Sequence, residues 1–258
     1  MKRKAILIFI ACFAMQMAAS AKEEKNLFNH MALGVSAGTD GIGFDVAAQA
    51  TDFLGIRVGG AFMPRLKFSG DYDIDSESAS ITSNTVTIEG KLHKADAKVL
   101  FDFFPFRKSI FHITAGAYIG GNRVLSLRNK NEFLAREDWG VTGVKIGDYR
   151  ITSDDEGNVK ADIRVNAFKP YLGIGFGRTM PRNKRVGVMC DLGVQFWGKP
   201  GVWANSKDDW GDVHYTKLEK QDFSTDDSNS ADANKAIDIM EKIIVYPVLN
   251  IRICGRLF

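Results

Sequence analysis

Two pairs of residues in the sequence carry groups that could together activate a water molecule: Asp73-x-Asp75 and Asp212-x-His214. An imidazole that a carboxylate orients can act as a general base, and further carboxylates can hold the water that it deprotonates. In this hypothesis His214 is the base, Asp212 orients it, and Asp73 and Asp75 hold the water. Aspartate is abundant in both segments, so the spacing also arises by chance, and solvated acidic loops are the alternative.

Two further motifs resemble ligand-binding loops but lack essential residues. The run 71–75 looks like the opening of a calcium loop, but Ser76 and Thr82 stand where glycine and glutamate are required. Weak binding of a divalent cation such as calcium is the alternative to a solvated loop. The run 38–43 lacks the Lys-Ser/Thr ending of a phosphate loop, and we predict a hairpin turn there. The sequence thus predicts no metal site and no cofactor.

The first 21 residues predict an export signal. Three cations precede an apolar run, and small residues end at Ala21, after which we expect cleavage. A lipoprotein signal at Cys12 is the alternative. Cys190 and Cys254 follow the signal without histidines at ligand spacing, and their pairing stays open.

Net charge argues against a nucleic-acid partner. The chain has 34 Lys and Arg against 31 Asp and Glu, and three of these cations lie in residues 2–4. The remainder, 34 − 3 = 31 against 31, is neutral. Nucleic-acid binding requires a surplus of cations.

Beyond residue 29 the hydrophobic pattern alternates with period two, which is typical of β-strands. In residues 95–104 the apolar side chains fall on one face and Asp96, Lys98 and Asp102 on the other. In residues 111–120, His112 shares its face with small and polar residues. Since the polar faces hold mainly small residues and a few charges of both signs, they suit the interior of a narrow barrel. The apolar faces then suit lipid.

We therefore predict an all-β fold, a transmembrane antiparallel β-barrel over residues 22–258. The strand count is eight to ten, with ten preferred, and a short helix over 231–244 precedes the last strand. Short connections near 51–53, 105–109, 166–169 and 198–201 are expected at one rim, and longer ones near 64–90, 125–158 and 208–244 at the other. Aromatic residues near the turns suggest interfacial girdles: Phe53, Phe103, Phe104, Phe106, Phe168, Phe196, Trp197 and Trp203. The ten strands are predicted at 31–39, 42–51, 54–63, 91–104, 110–124, 159–166, 170–178, 185–197, 201–206 and 246–258.

Four stretches and the chain end resemble the small outer-membrane β-barrel proteins of Gram-negative bacteria: 38–43, 102–106 running into 111–116, 170–177, 191–200, and the closing residues 246–249 with the terminal Phe258. This resemblance implies an outer-membrane location among lipid and lipopolysaccharide. It also implies recognition of the terminal Phe258 by the barrel-assembly machinery. Leu249, Ile251 and Ile253 are out of phase with Phe258, and a bulge near residues 254–255 would restore the phase.

The Asp-x-Asp and Asp-x-His pairs are also similar to those of the omptin peptidases, a family of ten-stranded barrels with catalytic residues at the extracellular rim. That likeness makes an omptin-like endopeptidase the second alternative function. The flanking sequence does not resemble an omptin.

The function that we predict is a monomeric outer-membrane barrel with a structural or surface-interaction role, a non-enzyme. Its candidate functional residues are the interior charges Arg57, Asp96, Lys98, Asp102 and His112. A narrow pore for small solutes through this interior is the first alternative. A soluble periplasmic β-protein is an alternative that does not involve a membrane.

Overall fold

The computed structural model describes residues 31–73, 85–106, 109–132, 143–146, 149–181, 185–207, 210, 212–218 and 242–257. Ala21 and Phe258 lie outside this part of the chain, as does most of the helix predicted over 231–244. No helix among the described residues is long and apolar enough to cross a membrane.

The described residues form fourteen β-strands. In chain order these are β1 (Met31–Gly38), β2 (Gly41–Thr51), β3 (Leu54–Asp73), β4 (Thr85–Phe103), β5 (Phe111–Gly120), β6 (Arg123–Asn129), β7 (Gly143–Ile146), β8 (Tyr149–Thr152), β9 (Lys160–Arg164), β10 (Phe168–Phe176), β11 (Val186–Phe196), β12 (Gly201–Lys207), β13 (Val213–Lys217) and β14 (Val245–Arg256).

Eight strands close into a ring of antiparallel pairs, in the order β1-β2-β3-β4-β5-β10-β11-β14 and back to β1. In the closing pair, Ala32 lies opposite Arg256 and Gly38 lies opposite Asn250. Closure gives every strand of the ring two neighbours and leaves no open edge. The predicted all-β antiparallel barrel is confirmed.

The remaining main-sheet strands form an extension at one rim of the ring. The C-terminal half of β4, from Asp96 to Phe103, pairs with β5, whereas residues Ile88 to Leu92 of the same strand pair with β6. The strands β9, β12 and β13 follow β6 in sheet order. We call this rim the upper rim, and the rim where β1 begins and β14 ends the lower rim. The strands β7 and β8 form a separate hairpin.

The ring has eight of the described strands, which is the lower end of the predicted range and not the preferred ten. The strands predicted at 159–166 and 201–206 exist as β9 and β12, but they pair with each other in the extension instead of joining the ring. The turns at 166–169 and 198–201 consequently lie at the upper rim, together with the long connections. Those near 51–53 and 105–109 lie at the lower rim, as expected.

The hairpin predicted at 38–43 is confirmed. β1 ends at Gly38 and β2 begins at Gly41, whose φ of 99° lies in the left-handed region that glycine adopts at little cost. A side chain at Gly41 would also clash with the backbone of Phe62. This tight turn fixes the register in which Val35 lies opposite Phe44.

The ring is apolar outside and polar inside. Burial alternates along the wall strands, as in β10, where every second residue from Phe168 to Phe176 is exposed and the residues between are buried. The outward side chains of the wall include Val35, Phe44, Val58, Phe62, Phe101, Ile113, Leu172, Ile174, Val188, Leu192, Ile251 and Ile253.

The aromatic prediction is confirmed only in part. Phe53, Phe103 and Phe106 are exposed near the lower rim, and Phe168 and Phe196 near the upper rim. The three others differ: Phe104 and Trp197 are buried, and Trp203 belongs to the extension.

The last strand is regular. β14 keeps one uninterrupted register with β1 and with β11, so the bulge considered near residues 254–255 is absent from the described strand. Cys190 and Cys254 are free thiols on neighbouring strands. Cys254 is buried among inward side chains, whereas Cys190 shares the face of the outward Val188 and Leu192.

Candidate functional site

The candidate site is the charged interior of the ring. Strand alternation and turns direct ten side chains of lysine, arginine and aspartate inward, and all are buried. The cations are Arg57, Lys94, Lys98, Lys169 and Arg252, and the carboxylates are Asp40, Asp45, Asp96, Asp102 and Asp191. His112 lies among them. The equal numbers allow the charges to neutralise each other inside the ring, where unpaired buried ions would be costly.

Arg57 is the centre of the first cluster. Its Nη2 lies 2.7 Å from Oδ1 of Asp102, and its Nη1 lies 2.7 Å from Oδ2 of Asp191. Asp102 also accepts hydrogen bonds from the hydroxyls of Thr114 (2.8 Å) and Thr179 (2.6 Å). These contacts join β3, β4, β5 and β11 with the segment after β10 across the interior.

His112 completes this cluster. Its Nε2 lies 2.8 Å from Oδ1 of Asp191, and its ring lies 5.4 Å from that of Phe104. The other ring nitrogen, Nδ1, lies 3.4 Å from the carbonyl oxygen of Ile110. Both ring nitrogens have a hydrogen-bond partner and the ring is fully buried, so the geometry suits a structural role for the imidazole.

Arg252 and Asp45 form the second cluster. The guanidinium of Arg252 donates from both Nε and Nη2 to the carboxylate of Asp45, and from Nη1 to the carbonyl oxygen of Thr179 at 3.0 Å. Lys98 Nζ lies 4.0 Å from Asp45 Oδ2 and donates to Ser36 Oγ at 3.4 Å.

Thr179 connects these two clusters. It is fully buried and belongs to the lower-rim segment between β10 and β11. Its hydroxyl donates to Asp102 while its carbonyl accepts from Arg252, so this segment is held inside the barrel mouth. A side chain at Gly55 would collide with it.

The third cluster lies towards the upper rim, around Lys94 and Asp96. Lys169 Nζ lies 2.7 Å from Asp96 Oδ1, and Lys94 Nζ lies 3.3 Å from Asp96 Oδ2. Lys94 also donates to Gln195 Oε1 at 2.8 Å. Three aromatic rings surround its ammonium, with centroids 4.8 to 5.9 Å away: Tyr118, Trp197 and Tyr246.

The solved structures to which this chain is similar include two outer-membrane proteins. They are CarO2 and CarO of Acinetobacter baumannii, with TM-scores of 0.46 each and sequence identities of 18% and 17%. The match with CarO2 covers 88% of this chain and 97% of that one, and the match with CarO covers 90% and 100%. No protein-family model matches the chain, and no curated protein matches it. No ligand or activity carries over at this level of identity.

All five interior residues predicted from the sequence are buried inside the ring, in three different clusters. Arg57, Asp102 and His112 share the first cluster, Lys98 belongs to the second and Asp96 to the third. The prediction left out their partners, although the period-two pattern places these on the same faces: Asp45, Lys94, Lys169, Asp191 and Arg252.

The three described residues of the predicted rim site lie on or next to two separate strands. Asp73 ends β3, Asp212 immediately precedes β13, and His214 lies in β13, with β4, β6, β9 and β12 between these two strands in sheet order. Asp75 lies outside the described residues. The rim site stays a prediction. Among the described residues, no group of three or more His, Cys, Asp or Glu side chains could hold a metal ion.

Proposed function

We propose that this protein is an integral outer-membrane β-barrel with a structural or surface-interaction role and without catalysis. The observation that carries the proposal is the inverted distribution of residues in the ring. Outward side chains such as Phe44, Leu172 and Phe176 are about half exposed, while ten lysine, arginine and aspartate side chains are buried inside. Water would penalise this apolar wall, whereas hydrocarbon stabilises it.

Backbone hydrogen bonding supports the same conclusion. A protein in hydrocarbon must satisfy its peptide groups internally, and a closed barrel does so. Each strand of this ring has a partner on both sides, including the closing pair of β1 with β14. The soluble periplasmic reading offers no comparable reason for an apolar exterior around a charged interior.

The interior supports a structural role more than transport. Arg57, Asp102 and Asp191 bridge the barrel at 2.7 Å separations, and Thr179 is held within the lower mouth. A solute would have to break several buried ion pairs to pass. The extension at the upper rim provides a large loop-bearing surface, where contacts with other molecules are usually located.

The first experiment tests for a folded and closed barrel. The chain without residues 1–21 is refolded in detergent and compared on gels with and without boiling, and is then placed in a planar bilayer. We expect a heat-dependent shift in migration and no discrete conductance steps. Steps that change in Arg57→Ala, but not in Lys207→Ala on the extension, would instead support the narrow pore.

The second experiment tests location and orientation. In a variant without cysteine, Thr216→Cys on β13 and Thr51→Cys at the lower rim are each treated in intact cells with a membrane-impermeant maleimide. Both positions are exposed. We expect labelling at residue 216 and protection at residue 51. Labelling of both to the same extent would contradict a barrel that separates its two rims across the outer membrane.

A further inference from the structure

A pocket lies where β4 changes partner. Leu92 pairs with Leu125 of β6, whereas Asp96 pairs with Gly120 of β5, so the sheet divides between these residues. The space left at the division is a cavity of about 300 Å³ lined by His93, Ala95, Gly121, Asn122, Arg123 and Arg164. Its charged lining groups are basic.

Arg123 and Arg164 lie directly opposite each other on β6 and β9. Like charges in this arrangement repel and destabilise a sheet unless an anion lies between them. A single carboxylate forms an ion pair with both arginines: Asp162 Oδ2 lies 3.4 Å from each guanidinium. One positive charge therefore remains without a carboxylate in this group of three, and His93 adds an imidazole to the lining.

The two guanidiniums differ in their surroundings and their exposure. Arg164 is stacked on the rings of Trp203 at 4.8 Å and Tyr215 at 5.1 Å, and its buried Nε has no hydrogen-bond partner. Arg123 has a side chain that is 61% exposed. A ring-stacked and an exposed guanidinium at one pocket can together bind a tetrahedral anion, because the planar fork of arginine matches two phosphate oxygens.

The pocket lies directly above the apolar wall of the ring. Ile119 and Phe168, an outward-facing cross-strand pair, are the last such residues of β5 and β10 before it. Two residues beyond Ile119, the amide of Gly121 donates to the carbonyl of Ala95 at 2.7 Å. This backbone hydrogen bond is the last between the chain of β5 and β4 before the pocket. Two residues of an extended strand rise about 7 Å, which is the step from acyl chains to headgroups.

We propose that this pocket binds the phosphate of a lipid headgroup in the leaflet at the upper rim, with Arg123 and Arg164 as its cationic ligands. The proposal rests on the proposed function, because it requires the apolar wall to lie in a membrane. Basic pockets at the edge of membrane-spanning segments bind phosphorylated headgroups through the same chemistry.

The test measures binding of diphosphoryl lipid A to the refolded barrel in detergent, with phosphatidylcholine and inorganic phosphate as comparison ligands. The variants are Arg123→Gln, at a side chain that is 61% exposed, and the double variant Arg123→Gln with Arg164→Gln. Arg128→Gln is the matched control, since it removes the same charge from an exposed position of the same strand. Every variant is first checked for the heat-dependent gel shift.

We expect saturable binding of lipid A that weakens in Arg123→Gln and falls by about tenfold or more when both guanidiniums are removed. Arg128→Gln should bind like the wild type. Unchanged lipid binding in folded Arg123→Gln and in the folded double variant would overturn the proposed lipid site but leave the proposed outer-membrane barrel unaffected. Equal affinity for inorganic phosphate would indicate a free-anion site and overturn the lipid assignment. A wild-type chain without the gel shift would overturn the proposed function and this site with it.

Discussion

Arg252 and Asp45 face each other inside the barrel across β1, with Nη2 of the arginine 2.6 Å from Oδ1 of the aspartate and both side chains fully buried. Their strands, β14 and β2, are the two neighbours of β1. The intervening Gly34 makes the contact sterically feasible, because a Cβ there would overlap the guanidinium. The pair therefore links the last strand to the first hairpin at the point where the ring closes.

We expect Asp45→Asn to destabilise the folded barrel by about 3 kcal/mol, because breaking a buried pair leaves an uncompensated charge. The measurement is urea unfolding of the refolded protein in detergent, followed by the gel shift. Glu89→Gln is the control, since Glu89 and Lys91 form a partly exposed pair in the upper half of β4. Similar losses in both variants would mean that the closing pair contributes no more than a surface ion pair.

The outward wall provides a prediction that separates lipid from water. Leu172 lies mid-strand in β10 with 52% of its surface exposed. Leu172→Arg should lower the stability of the barrel in lipid vesicles by about 2–4 kcal/mol, the cost of arginine near the bilayer midplane. Thr216→Arg, at an exposed position of β13, should have little effect. An equally small loss at residue 172 would indicate that this face contacts water.

The ammonium of Lys94 provides a third prediction. Asp96, Gln195 and three aromatic rings surround it, and the nearest ring centroid, that of Tyr246, is 4.8 Å away. Lys94→Met keeps most of the side-chain volume and removes the charge, which should cost about 2 kcal/mol for a desolvated cation–π site. Lys91→Met on the same strand is the control in the same urea titration. A Lys94→Met barrel as stable as the wild type would show that the rings pack without needing the cation.

The inward and outward faces could be predicted from sequence because they depend on local alternation. Asp96, Lys98 and Asp102 are spaced by two or four residues on one strand, and a period of two places them on one side whatever the strand pairs with. The same reasoning placed His112 inside.

Strand partners could not be predicted in this way. β9 and β12 were correctly identified as strands but assigned to the ring, because alternation within a strand does not specify its neighbour. The partner of β6 is decided at the division of β4, where Asp96 pairs with Gly120 and Leu92 pairs with Leu125. Likewise, Arg252 meets Asp45 from 207 residues away only because the ring closes in this register.

The extension should respond to alkaline pH through Tyr215. Burial and a hydrogen bond to Asp162 raise the pKa of its phenol from 10.0 to about 12. Because the folded pKa is the higher one, the associated stability is present below pH 10 and is lost as pH rises from about 10 to about 12. We expect the phenolate absorbance missing from Tyr215→Phe to titrate near pH 12. In Asp162→Asn the pKa should fall but stay above the ordinary value, since burial remains. A titration at the ordinary tyrosine value, unchanged by Asp162→Asn, would show that these two side chains do not interact in the extension.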